Sequence, residues 1–444
     1  MAPVEDGSGP WPDILACVKR VVGRIVAAAM VGAVLASQLA GNAAAEPELS
    51  LFLAEDCRSY QPSADGQVTQ AWHLERLNMP EAWQIATGKG VTVAVIDTGM
   101  SPLGTPFLDA SRVRTYDYLG GMSEKDGEAG GVDCDHGTKV ASLIAAGRSG
   151  GQPYDVRTDF SGIAPDAEII SYRVLSTSGG GDSGGENDTL DATIAAVRNA
   201  IEEDVDIINL SQSAGGADPL IPQYRAAVEA AIEAGIIVVA AAGNADQGIS
   251  GAPYPASFDG VISVGMVDRT DAPHAMSYPW QSVSIGAPGA DLMALLPSMP
   301  RQNAPYSNQA YESGILGTSF AAPIVSGVVA LLLEVYPGLS PEDVKQRLQV
   351  TADPPPNTIP DSRIGYGIVN PMRALTGVAR PQVPNPGSDG TTNTNVTLPD
   401  PPKPNMVPAY IGVGVGVGAL LVTGLGMVVA FTVPAAVRRN RSSR

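Results

Sequence analysis

Five short runs of apolar, often branched residues constrain this chain most strongly: VTVAVI at residues 91–96, EIISYRVL at 168–175, VDIINL at 205–210, IIVVAA at 236–241 and VISVGMV at 261–267. Each is apolar almost without a break. A strand with one wet face alternates apolar and polar residues, so a nearly continuous run marks a strand covered on both faces. Stretches with helical period fall between and after them, at residues 136–146, 188–203, 220–234, 319–336 and 341–352. Strands alternating with helices predict an α/β fold, a doubly wound and mostly parallel sheet with helices on both faces. In such a sheet functional groups collect just beyond the C-terminal ends of the strands.

The ends of the chain read differently. Lys19, Arg20 and Arg24 precede an uncharged stretch, residues 25–45, that closes on Ala43-Ala44-Ala45. That pattern predicts a secretory signal peptide over 1–45 with an A-x-A cleavage site and a mature start at Glu46; a retained signal anchor is the alternative. Residues 409–433 carry no charge and exceed the roughly 20 residues a helix needs to cross a bilayer. Arg438, Arg439, Arg441 and Arg444 follow, so the positive-inside rule puts the tail in the cytoplasm and the body of the chain outside. The expected organisation is signal peptide 1–45, N-terminal extension 46–71, one catalytic-sized domain 72–378, proline-rich stalk 379–404, transmembrane region 405–437 and basic tail 438–444.

Composition narrows the function. With 44% hydrophobic residues the chain can fill a core, and a net charge of −19 argues against nucleic acid as a partner, because phosphate binding needs a basic surface. Two of the three cysteines, Cys57 and Cys134, fall in the exported part. In an oxidising compartment they most simply pair, closing a long loop worth about 4.5 kcal/mol in the chain-entropy model; two buried thiols are the alternative.

Four motifs sit where the predicted sheet places chemistry. Asp97 ends the first strand in VAVIDTG, with Gly99 allowing a sharp turn. Alone it reads equally as a turn or a helix cap. An aspartic protease needs a second such carboxylate, and Asp182-Ser183-Gly184 has no strand before it. His136 opens a helix in DHGTKV; His73 beside Trp72, in an apparent edge segment, and His274 in a polar loop read as structural or solvated. Ser319 stands in GTSFAAP at the mouth of an apolar helix, as nucleophile or as an ordinary N-cap. Asn244 ends AAAGN, and its amide could donate to a tetrahedral oxyanion.

Asp97, His136, Asn244 and Ser319 in that order, with VAVIDTG, HGT, AAAGN and GTSFAAP, resemble the subtilisin-like serine proteases across roughly residues 72–378. The resemblance implies a subtilisin-like fold in which Ser319 is nucleophile, His136 general base, Asp97 its orienting carboxylate, and Asn244 an oxyanion donor. It makes NLSQS, residues 209–213, the strand that pairs with substrate, with Ser211 as a binding position, and puts the glycine-rich loop 178–186 at the cleft border. The 46–71 extension is short for a folding propeptide; pairing of Cys57 with Cys134 would make it a permanent strap. The whole architecture resembles the mycosins, membrane-anchored proteases of type VII secretion systems. That implies work at the outer face of the cell membrane, on secreted protein substrates or on the secretion machinery, and also allows a mainly structural role in the membrane complex. No acidic cluster has calcium-ligand spacing, so no metal or other cofactor is expected.

Overall fold

The computed structural model describes residues 50–51, 57, 71–100, 108, 110–119, 134–149, 152–153, 159–176, 190–297, 310–356 and 358–377. The signal peptide, the loop 178–186, the stalk, the span at 409–433 and the basic tail lie outside the described residues. In chain order the strands are β1 (Ser50–Leu51), β2 (Thr92–Asp97), β3 (Val113–Asp117), β4 (Arg148–Ser149), β5 (Gln152–Pro153), β6 (Glu168–Arg173), β7 (Ile207–Leu210), β8 (Ile237–Ala241), β9 (Ile262–Val267), β10 (Val283–Pro288), β11 (Leu292–Leu295) and β12 (Tyr311–Ile315). The helices are α1 (Trp72–Arg76), α2 (Met79–Ala82), α3 (Asp135–Ala145), α4 (Leu190–Glu202), α5 (Ile221–Glu233), α6 (Thr318–Val335), α7 (Pro341–Thr351) and α8 (Pro371–Thr376).

One sheet takes the order β1-β3-β6-β2-β7-β8-β9-β10. Its strands run parallel except β1, which lies antiparallel to β3 through Ser50 opposite Asp117 and Leu51 opposite Tyr116. Alternate residues of each inner strand go to opposite faces. Val93 and Val95 of β2 join one apolar cluster with Val140 and Leu143 of α3 and Val325 and Val328 of α6. Ala94 and Ile96 join the other, with Val197 of α4 and Val228 of α5. Both faces are thus covered, as the unbroken apolar runs require.

Helix α6 passes through the first of these clusters and is buried almost all round, from Thr318 to Leu333. By length and apolarity it is the one described helix that could cross a membrane, and here it is a core helix. Its C-terminal end carries Glu334, an unfavourable charge for that end of the helix dipole. Three backbone N–H groups, of Thr87, Gly88 and Lys89, donate to its Oε2 at 2.7, 2.7 and 3.0 Å and offset the conflict. The loop that leads into β2 is therefore fastened to the end of α6.

The segment at Trp72 and His73, an apparent edge segment in the sequence, is a short helix. His73 is 0% exposed, and neither ring nitrogen has a hydrogen-bond partner. Its ring meets Phe160 edge-on, with 6.3 Å between centroids. Burial, helped by the charge of Arg269, pushes its pKa down to about 3. The unfolded chain binds this proton below pH 6.5 and the folded one does not, so stability falls as pH drops through that window. His73→Leu is expected to lose less stability than the parent between pH 7 and pH 5 in urea unfolding, by about 2 kcal/mol. Equal losses in the two proteins would contradict this account of His73.

Candidate active site

Asp97 is the last residue of β2, near the middle of the sheet, and is fully buried. The Thr98 N–H donates to its Oδ1 at 2.7 Å, and Gly99 at φ +84° turns the chain away. Helix α3 then lands on that turn. The Gly137 N–H donates to Thr98 Oγ1 at 3.0 Å, and a Cβ added at Gly137 would lie 2.0 Å from the Gly99 carbonyl oxygen. Only glycine permits this approach, which is the steric reason for Gly in HGT.

The landing puts His136 Nδ1 2.8 and 3.0 Å from the two carboxylate oxygens of Asp97. A carboxylate accepts, so Nδ1 carries the proton and Nε2 is left as an acceptor, 3.0 Å from Ser319 Oγ. The Phe320 ring lies 5.0 Å from the imidazole. Burial disfavours the imidazolium most, but the charge and hydrogen bond of Asp97, with Asp135, outweigh it; the pKa of His136 rises above its ordinary value, against an opposing push from Lys139.

Ser319 lies in the first turn of α6, and its carbonyl is set up by a residue one turn on. Pro323 has no N–H, so the Ser319 carbonyl loses its intrahelical donor. Ser211 Oγ supplies the missing bond at 2.8 Å. Asn209 Nδ2 donates to that hydroxyl at 2.9 Å, and Ser326 Oγ donates to Asn209 Oδ1 at 2.8 Å. A buried polar chain thus joins the end of β7 to both the first and the third turn of α6. The hydroxyl of Ser211, singled out above as a binding position, is committed to the helix.

Asn244 follows β8. Its Oδ1 accepts from the backbone N–H and from the hydroxyl of Thr318, both at 3.0 Å. Since an N–H must meet an acceptor, the amide orientation is fixed and Nδ2 points the other way. A Cβ built on Gly317 would lie 3.0 Å from Ser319 Oγ and 3.7 Å from Asn244 Nδ2. The bare glycine leaves that space open, next to a hydroxyl that can form a bond and an amide that can stabilise developing negative charge.

The remaining candidates fall elsewhere. His274 Nδ1 accepts from the Met276 N–H, apart from the Asp97–His136–Ser319 chain. Cys57 and Cys134 are joined in a disulfide, which attaches the N-terminal extension two residues before His136. Among the described residues no group of three or more His, Cys, Asp or Glu is placed to hold a metal ion. The sequence assigns no side-chain role to Thr98, Asn209 or Ser326, although Thr98 falls in VAVIDTG and Asn209 in NLSQS. The signal for Asn209 is available, as the one amide in an otherwise apolar strand, but of its two partners only Ser211 is local; Ser326, which ties it to α6, lies more than a hundred residues away.

Residues 88–367 match the model of the Subtilase family. The chain is 33% identical to Subtilisin DY of Bacillus licheniformis over 64% of this chain and 90% of that protein. It is 31% identical to Mycosin-3 of Mycobacterium tuberculosis (strain ATCC 25618 / H37Rv), over 82% of this chain and 83% of that one. Among solved structures it resembles the MycP3 protease from the type VII (ESX-3) secretion system, with a TM-score of 0.55 and 29% identity, over 74% of this chain and 98% of that chain. It also resembles a chain of an intact ESX-5 inner membrane complex, with a TM-score of 0.58 and 32% identity, over 85% and 94%. The chain belongs to the subtilase family of serine proteases, and within it to the mycosins.

Proposed function

We propose that this protein is a membrane-anchored, extracytoplasmic serine endopeptidase that processes exported proteins in association with a type VII secretion system. The observation that carries the proposal is the hydrogen-bonded series Asp97, His136, Ser319, with Asn244 Nδ2 opening onto the same space. In this reading Ser319 Oγ attacks the scissile carbonyl while His136 Nε2 takes its proton. Asp97 holds the tautomer and stabilises the imidazolium as it forms. Asn244 Nδ2 and the Ser319 backbone N–H receive the oxyanion. His136 then returns the proton to the leaving amine, and water repeats the sequence on the acyl-enzyme. The 209–213 segment pairs with substrate through its backbone at Ser211, because the serine hydroxyl is already engaged.

The location rests on the signal-like start, the apolar span at 409–433 and the arginine-rich tail. The extension 46–71 acts as a permanent strap; the pairing of β1 with β3 and the Cys57–Cys134 disulfide support this. A second reading, a mainly structural part in the secretion complex, is favoured by the likeness to a chain of an ESX-5 inner membrane complex.

Three outcomes are expected. A fluorophosphonate probe labels the full chain in detergent and fails to label Ser319→Ala; labelling that survives the substitution would remove Ser319 as nucleophile. Protein extracted from membranes has an intact mass corresponding to residues 46–444, whereas an N-terminus beyond Trp72 would sink the strap and recovery in the soluble fraction would sink the tether. In cells lacking the protein, Ser319→Ala restores its position in the membrane but not processing of exported proteins; export that proceeds with Ser319→Ala and fails without the chain would favour the structural reading.

A further inference from the structure

Three residues beyond His136 on α3, Lys139 occupies a position that the chemistry above does not use. Its side chain is 6% exposed. The ammonium meets Asp135 Oδ2 at 2.7 Å, one turn back on its own helix, and Glu312 Oε2 at 2.5 Å, on β12. Burial works against that charge, but the two carboxylates more than offset it and Lys139 stays ionised. Strand β12 runs directly into Leu316, Gly317 and Ser319. Its hairpin partner β11 is also fastened to α3, through the Leu295 N–H donating to Ser142 Oγ at 3.1 Å. The helix that bears the histidine and the hairpin that leads to the serine are therefore docked at two points, one neutral and one ionic.

We propose that Lys139 is a positioning residue for the reaction: clamped between Asp135 and Glu312, it sets the His136 helix against the strand that delivers Ser319. The proposal rests on His136 acting as the base. Breaking the clamp leaves the second docking point and the Asp97 contact in place, so the fold persists while the distance between Nε2 and Oγ is no longer held at 3.0 Å. A nucleophile and base loosened by a fraction of an ångström lose rate with no loss of either group.

The ammonium also acts at a distance. The groups around the imidazole are Asp97 from β2, Asp135 and Lys139 from α3, and the Ser319 hydroxyl and Phe320 ring from α6; Glu312 of β12 reaches it through Lys139. Asp97 and Asp135 favour the imidazolium, and Lys139 opposes it. Removing the ammonium alone leaves Asp135 uncompensated and raises the pKa of the base. Removing Asp135 and Lys139 together cancels most of that change. A residue that served only packing would produce neither pattern.

The second-order rate of fluorophosphonate labelling, followed from about pH 5 to 9, reads the base without requiring a known substrate. For the parent the acid limb should lie above pH 6.5, because the neutral imidazole is the active form and its pKa is raised. Lys139→Met should move that limb upward by roughly 0.5–1 pH unit. It should also lower the plateau roughly 3- to 10-fold. Asp135→Asn/Lys139→Met should bring the limb back. Glu312→Gln, at an exposed position that tolerates change, should lower the plateau without raising the limb and should add nothing once Lys139 is already Met. A parent that does not label would overturn the assignment of His136 and Ser319. A parent that labels, beside a Lys139→Met protein of unchanged limb and plateau, or a Glu312→Gln effect that simply adds to it, would overturn the role of Lys139.

Discussion

The Ser319 carbonyl is the point on which the site depends. Pro323 withholds the N–H that would have closed the first turn of α6, and a buried carbonyl left without a donor costs about 1–3 kcal/mol. Ser211 answers from the end of β7, and Asn209 and Ser326 extend the answer to the third turn of the same helix. The helix that carries the nucleophile is thereby registered on the sheet by hydrogen bonds, which have direction, as well as by apolar packing, which has little. The rotation of α6 about its axis decides where Ser319 Oγ points. The polar chain ties that rotation to the end of β7, and Asn244, holding Thr318 in the same turn, ties it to the end of β8.

The other half of the site is set by close approach. Helix α3 meets the turn after β2 at backbone distance, through Gly137, Thr98 and Gly99, and His136 reaches Asp97 because nothing stands between them. At the far end of α6, Glu334 holds the loop that begins β2. One helix therefore touches the strand that bears the carboxylate at its start and bears the serine itself. The two groups furthest apart in sequence are connected through a single rigid body.

Much of this is legible in the amino-acid sequence. The five apolar runs gave β2, β6, β7, β8 and β9, and the periodic stretches gave α3 to α7, because burial on two faces or on one stripe leaves a strong local pattern. Strand β3 is not legible: VRTYD has one aliphatic residue and buries Thr115 and Asp117 instead of apolar side chains, so neither an apolar run nor an apolar–polar alternation marks it. Strand β10 carries Gly286 and ends in Pro288, and β12 has an exposed middle, so neither shows an apolar run. Asp97, His136, Asn244 and Ser319 were legible as motifs, whereas the bonds that hold them were not. Lys139 with Glu312, and Ser211 with Ser319, are separated by more than a hundred residues, and no local period records such a pairing. His73 shows the converse limit, since a histidine beside a tryptophan gives no sign that it will be sealed away from both water and partners.

Gly137 and Gly317 contribute no functional group, yet each guards a volume that the chemistry needs: the approach of α3 to the Gly99 carbonyl, and the space shared by Ser319 Oγ and Asn244 Nδ2. Tolerance to substitution in this protein is therefore not a map of reactivity. Swapping one acyl-reactive side chain for another can leave a weakened enzyme, but a single methyl group at Gly137 has nowhere to go. The outline of the site is thus drawn partly by positions defined by what they lack, and at these a conservative substitution is as disruptive as the loss of a reacting group.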